Sequence, residues 1–182
     1  MDWWVYLLAL VAVVAVAVGA AFLGRWLYAR QVRRSLVRLL RTREAVVAGA
    51  KGLDLVIAHL AGQEDDGEAL EVFASDAASE DRRAVADVAA RMRILADDLH
   101  AMALPKRLWV VAEDMERAAR TLAEQAGGVG EAATPAGALD ALAAIRMEVV
   151  REQARAADTD LQPLLEAFRV YDPAVYGGGL YI

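Results

Sequence analysis

Apolar residues in this chain are arranged in two ways, first as one unbroken block and then in steps of three and four. The block is residues 3–24, WWVYLLALVAVVAVAVGAAFLG, with no charge between Asp2 and Arg25. As a helix rising about 1.5 Å per residue it is roughly 33 Å long, against about 30 Å for the hydrocarbon layer of a bilayer. Lipid supplies no hydrogen-bond partners, so a single span is expected to be a helix that satisfies its own backbone. Rings suited to the headgroup layer flank it: Trp3, Trp4 and Tyr6 at one edge, Trp26 and Tyr28 at the other.

Beyond the block, Val32, Leu36, Leu39, Val46, Ala50, Leu53, Ile57 and Leu60 keep a seven-residue rhythm that only Arg43 interrupts. The spacing predicts a helix running from the membrane to Leu60, its seam packed either within the chain or against a second copy. Gly49 and Gly52 permit a bend, and Gly62 is expected to close the helix as a left-handed residue before an acidic turn over residues 62–68. A short helix over residues 68–74 then carries Leu70 and Phe73. Ser75 or Ser79 caps a second long helix over residues 80–103, whose face is Val85, Val88, Met92, Leu95, Leu99 and Met102. Pro105 opens a third, with Leu108, Val111, Met115, Ala118 and Leu122, ending near Gly127.

Residues 127–137, GGVGEAATPAG, are expected to form a loop, and Thr134 followed by Pro135 opens a fourth helix with Leu139, Leu142, Ile145, Val149 and Val150. A reset is expected near Thr159, where Thr159 and Gln162 have capping-box spacing and Pro163 suits a first turn or a kink; Leu161, Leu164, Leu165 and Phe168 follow. Asp172-Pro173 ends the last helix. The predicted class is all-α: one N-terminal transmembrane helix continuing into a cytoplasmic antiparallel bundle of four to five helices. Its parts are an anchor (residues 1–24), a basic juxtamembrane helix (25–43), an acidic bundle (44–171) and a glycine- and tyrosine-rich tail (172–182).

Charge sets the expected orientation. Arg25, Arg30, Arg33, Arg34, Arg38, Arg41 and Arg43 follow the block with no acid among them, whereas only Asp2 precedes it, which by the positive-inside rule leaves the N-terminus outside and the body in the cytoplasm. A cleaved leader is the competing reading, with Ala17, Gly19 and Ala20 as small residues. No Lys or Arg precedes the block, however, and it exceeds the usual ~7 to 15 residues of a leader's apolar core. From residue 44 onward, 13 basic groups face 25 acidic ones. So acidic a body on a basic neck argues against nucleic acid, and the neck either meets anionic headgroups or serves as a topology signal alone. The membrane-interface candidates are Trp3, Trp4, Tyr6, Arg25, Trp26, Tyr28, Arg30, Arg33 and Arg34. Arg43 can set the seam's register or reach along its stem to the headgroups; its nearness to the membrane favours the second.

Catalytic chemistry has little to work with. The chain has no cysteine and two histidines, and no nucleophile elbow, phosphate loop or nucleotide fingerprint. Asp97 and His100 share a helix face with the spacing found in carboxylate-bridged metal bundles, but such sites need a second pair, and Val56 stands three residues before His59. Neither a catalytic site nor a cofactor is therefore expected. The tail, YDPAVYGGGLYI, is the most unusual part of the body, and Tyr171, Tyr176, Leu180, Tyr181 and Ile182 are its partner-binding candidates, unless they fold back over the helices. These observations predict a non-enzymatic, membrane-tethered interaction or assembly subunit that presents its helices to a protein partner. The alternatives are a self-associating structural or signalling protein, with Ala12, Ala15 and Gly19 spaced for close helix approach, and a metal-binding helical enzyme.

Overall fold

The computed structural model describes residues 3–62 and 66–170 and is all-helical among them. Six α-helices follow in order: α1 (Trp3–Ala61), α2 (Asp66–Ser75), α3 (Glu80–Ala101), α4 (Trp109–Gly130), α5 (Pro135–Ala143) and α6 (Met147–Phe168), with a 3₁₀ turn at Lys106–Leu108 ahead of α4. The expected continuous first helix is present. α1 runs from Trp3 to Ala61 without interruption, and from Trp3 to Tyr28 every side chain described is exposed. This apolar part is long enough to cross a membrane.

From Val32 onward the same helix turns one face inward. Val32, Leu36, Leu39, Leu40, Val46, Leu53, Val56 and Leu60 are all buried, against α3, α4 and α6 of the same chain. The core falls into two clusters. One gathers Val32, Leu36, Leu39 and Leu40 of α1 with Leu99, Leu108, Val111, Met115, Leu161 and Leu165. The other gathers Val46, Leu53, Val56 and Leu60 with Phe73, Val85, Met92, Leu122, Val129, Met147 and Val150. The first lies at the end of the body where the apolar segment joins it, the second at the far end. At Gly49 a Cβ would lie 3.0 Å from the Met92 Cε and 3.4 Å from a Leu122 methyl, so a side chain there would require the end of Met92 to move aside.

Several boundaries differ from those the pattern predicts. Gly62 does not take the left-handed conformation, and α1 ends at Ala61 without it. α4 continues past Gly127 to Gly130, because Val129 is fully buried in the far cluster and its packing outweighs the roughly 1 kcal/mol that each glycine costs a helix. The expected fourth helix is broken at residues 144–146, where no glycine or proline signals it. There the Arg146 amide donates to the Gln125 Oε1 at 3.0 Å, and the break lets α5 cross the far end and pack on α2. Thr134 caps α5 as its spacing predicts, its Oγ1 accepting from the Gly137 amide at 3.1 Å.

No reset occurs at Thr159. Its hydroxyl donates back to the Arg155 carbonyl at 2.9 Å, and α6 passes through Pro163 because Leu161 and Leu165 on either side are buried in the near cluster. The helix ends instead at Phe168, ahead of Asp172-Pro173. Arg169 takes the left-handed conformation at φ 52°, its amide donating to the Glu166 carbonyl and that of Val170 to the Leu165 carbonyl at 2.9 Å. This is the Schellman pattern with arginine where glycine is usual. Arg169→Gly should therefore raise stability by about 1 kcal/mol, the strain an L-residue carries in that conformation. A chemical-denaturation midpoint that falls would show that the Arg169 side chain contributes more than its backbone strains.

Candidate membrane interface

The junction between the exposed segment and the body carries most of the residues expected at a lipid surface. Trp3 and Trp4 sit at the start of α1 with ring centroids 4.2 Å apart, both exposed, as is Tyr6. At the other edge Trp26 and Tyr28 are exposed, and the Arg30 guanidinium carbon lies 5.3 Å from the Trp26 ring centroid, within cation–π range. Trp26, Ala29, Arg30 and Arg33 line a shallow hollow of about 290 Å³. Arg25 and Arg34 are exposed on the same stretch. Arg33 also holds the body to the neck. Its Nε donates to the Phe168 carbonyl at 2.9 Å, satisfying a carbonyl at the C-terminus of α6 and placing a cation at that helix's negative end.

Arg43 does not reach toward headgroups. It forms a two-pronged ion pair with Asp158 of α6, the second contact being Nη2 to Oδ2 at 2.8 Å. The hydrogen bond to Asp158 holds the guanidinium still more firmly charged than usual, against the opposing effect of its burial. On α1 Arg43 lies between Leu40 of the near cluster and Val46 of the far one; on α6 Asp158 lies between Ala157 and Leu161, both of the near cluster. This corrects the expectation drawn from proximity to the membrane. Arg43 interrupts the seam of α1, whereas Asp158 stands beside the buried Ala157 and leaves the inward face of α6 unbroken, so no spacing rule pairs the two. A second inter-helix tie, Arg151 of α6 to Asp54 of α1 at 2.7 Å, is exposed and contributes about 0 to 1 kcal/mol.

A buried arginine escaped the pattern altogether. Arg82, 5% exposed, enters from the first turn of α3 and donates to the carbonyls of Ala74 (3.2 Å), Val129 (3.4 Å) and Ala132 (2.6 Å). It thus ties the C-terminal ends of α2 and α4 together, a place where backbone carbonyls lack helical partners and a cation meets two negative helix ends. No spacing rule singles out Arg82 from Arg83 beside it.

The histidines are engaged separately. His59 Nδ1 lies 3.2 Å from an Asp81 carboxylate oxygen, and His100 Nδ1 lies 3.3 Å from the Glu116 Oε1, which also accepts from Arg120 at 2.6 Å. Asp97 and His100 are both exposed, and no cluster of three or more metal-ligating side chains occurs among the described residues. The tail candidates Tyr171, Tyr176, Leu180, Tyr181 and Ile182 lie outside the described residues. Comparison with family models, with curated proteins and with solved structures gave no match.

Proposed function

We propose that the chain is a single-pass membrane protein whose span continues rigidly into an antiparallel cytoplasmic helical bundle, and that it serves as a non-enzymatic interaction or assembly subunit at the membrane face. The observation that carries this reading is the continuity of α1: one helix is exposed and apolar over its first part and buried on one face from Val32 to Leu60. A helix with no break between the two parts fixes the height and tilt of the bundle over the bilayer, which suits presentation of a surface to a partner. The basic neck supports a cytoplasmic body, with its lipid contacts on the anionic leaflet. The tail, leaving the last described residue Val170 at the membrane end, remains the candidate docking peptide.

Self-association through the seam is the weaker reading, because Val32, Leu36, Leu39, Leu53 and Leu60 already pack within the chain. Leu55, Val72 and Ile94 are large apolar side chains exposed on the body and are the positions for a test. A photo-crosslinking residue at each, in the full chain and in native membranes, should yield an adduct with a second protein of defined mass. An adduct of twice the chain's own mass would favour self-association, and no adduct at any position or along the tail would remove the partner-presenting role.

A further inference from the structure

The loop between α3 and α4 stands at the same end of the body as the neck. Leu108 is fully buried in the near cluster with Val32 and Leu36, and Met102 and Leu104 pack against that cluster. Fixing Leu108 inward turns its neighbours outward: Lys106 and Arg107 are exposed, as are Trp109 (56%) and Val110 (58%). The Trp109 indole N–H donates to the Leu104 carbonyl at 2.9 Å, so its polar atom is satisfied within the loop while much of the ring faces out. Three of the chain's four tryptophans flank the apolar block, and Trp109 is the fourth.

Charge follows the same geography. Residues 99–112 contain Lys106 and Arg107 and no acid, and residues 3–43 contain seven arginines and no acid, in a chain whose net charge is −6. Arg169 is exposed at this end as well; Glu166, one turn earlier on α6, is the nearest acid on that helix and hydrogen-bonds Gln162 at 3.5 Å. Val32 lies eight residues beyond Gly24, roughly 12 Å along the helix, and the headgroup layer of one leaflet is about 5 to 7 Å thick. The near end of the body is thereby held against the lipid surface by its own tether.

Resting on the single-span reading above, we propose that the α3–α4 loop and the first residues of α4 form a second lipid contact. Lys106 and Arg107 meet anionic headgroups of the leaflet from which α1 emerges, and Trp109 and Val110 enter the interfacial layer beside them. Exposed rings and aliphatics next to cations, with no acid among them, complement an anionic bilayer surface. A single anchor leaves the body free to rotate about α1. A second contact sets which face of the bundle points away from the membrane.

The chain contains no cysteine, so single cysteines can carry a nitroxide without background. Three variants of the full chain, Val110→Cys, Phe22→Cys and Ile94→Cys, are reconstituted into vesicles of phosphatidylcholine with or without phosphatidylserine. Collision accessibility to oxygen and to a water-soluble nickel complex then reports depth. The expected result is a deep label at Phe22, an aqueous one at Ile94 and an interfacial one at Val110 when phosphatidylserine is present. Adding Lys106→Gln and Arg107→Gln should lower the docked-to-undocked ratio roughly 30-fold, at about fivefold per cation. A deep Phe22 with Val110 as aqueous as Ile94 in both vesicles overturns the loop contact and leaves the span standing. An aqueous Phe22 overturns both.

Discussion

Arg82→Ala should lower the unfolding free energy of the full chain in micelles by roughly 2 to 3 kcal/mol. The guanidinium serves three carbonyls in a place where it is itself only 5% exposed. A buried acceptor left without a donor costs about 1 to 3 kcal/mol. The Val129 carbonyl also accepts from the Ala132 amide at 3.4 Å, so the loss falls mainly on Ala74 and Ala132. Part of it is offset because a desolvated charge is removed. Arg82→Lys should fall between the two, since a single ammonium cannot spread its donors over three carbonyls as the planar fork does. Urea titration followed by circular dichroism reads the midpoint, and hydrogen exchange should rise first in residues 66–75 and 130–134. An unchanged midpoint for Arg82→Ala would mean that the apolar packing of α2 on its neighbours holds it without the guanidinium.

Asp158→Ala should cost about 2 kcal/mol, whereas replacing Arg43 and Asp158 together by leucine should cost less than about 1 kcal/mol or stabilise. Breaking a buried ion pair from one side costs about 3 to 5 kcal/mol because the remaining charge is stranded. The Asp158 side chain is 35% exposed and that of Arg43 13%, so solvent relieves part of the penalty. Leucine at both positions would fill the gap in the apolar seam of α1 and set a second apolar side chain beside Ala157 on α6. A double-mutant cycle on denaturation midpoints measures the coupling. Strict additivity of the two single substitutions would show that the pair has no energetic link despite its two-pronged geometry.

Much of this architecture is readable from spacing. The three-four steps of α1, α3 and α4 identify the buried faces, since Val32 to Leu60, Val85 to Leu99 and Leu108 to Leu122 enter the core largely at the positions their registers predict. The errors share a cause. Gly127 is a local signal for stopping a helix and Thr159 one for starting a new one, and each is overridden by fully packed neighbours, Val129 in the first case and Leu161 with Leu165 in the second. The break before α6 and the left-handed Arg169 have no local signal, because both are decided by contacts between helices distant in the chain. The rings and cations suited to a lipid surface were legible by residue type, and all of them are exposed. Arg82, Arg43 with Asp158, and the outward residues around Leu108 (Lys106, Arg107, Trp109 and Val110) were not, because partner and placement are properties of the packed body.

Everything proposed for this chain depends on α1 crossing the bilayer once and leaving the acidic body inside. Protease digestion of sealed right-side-out vesicles, carrying the full chain with a tag after residue 182, tests it most directly. The tagged body should survive intact until the vesicles are opened and then be digested. A body cleaved in sealed vesicles, or one released into the soluble fraction before any protease is added, would contradict it.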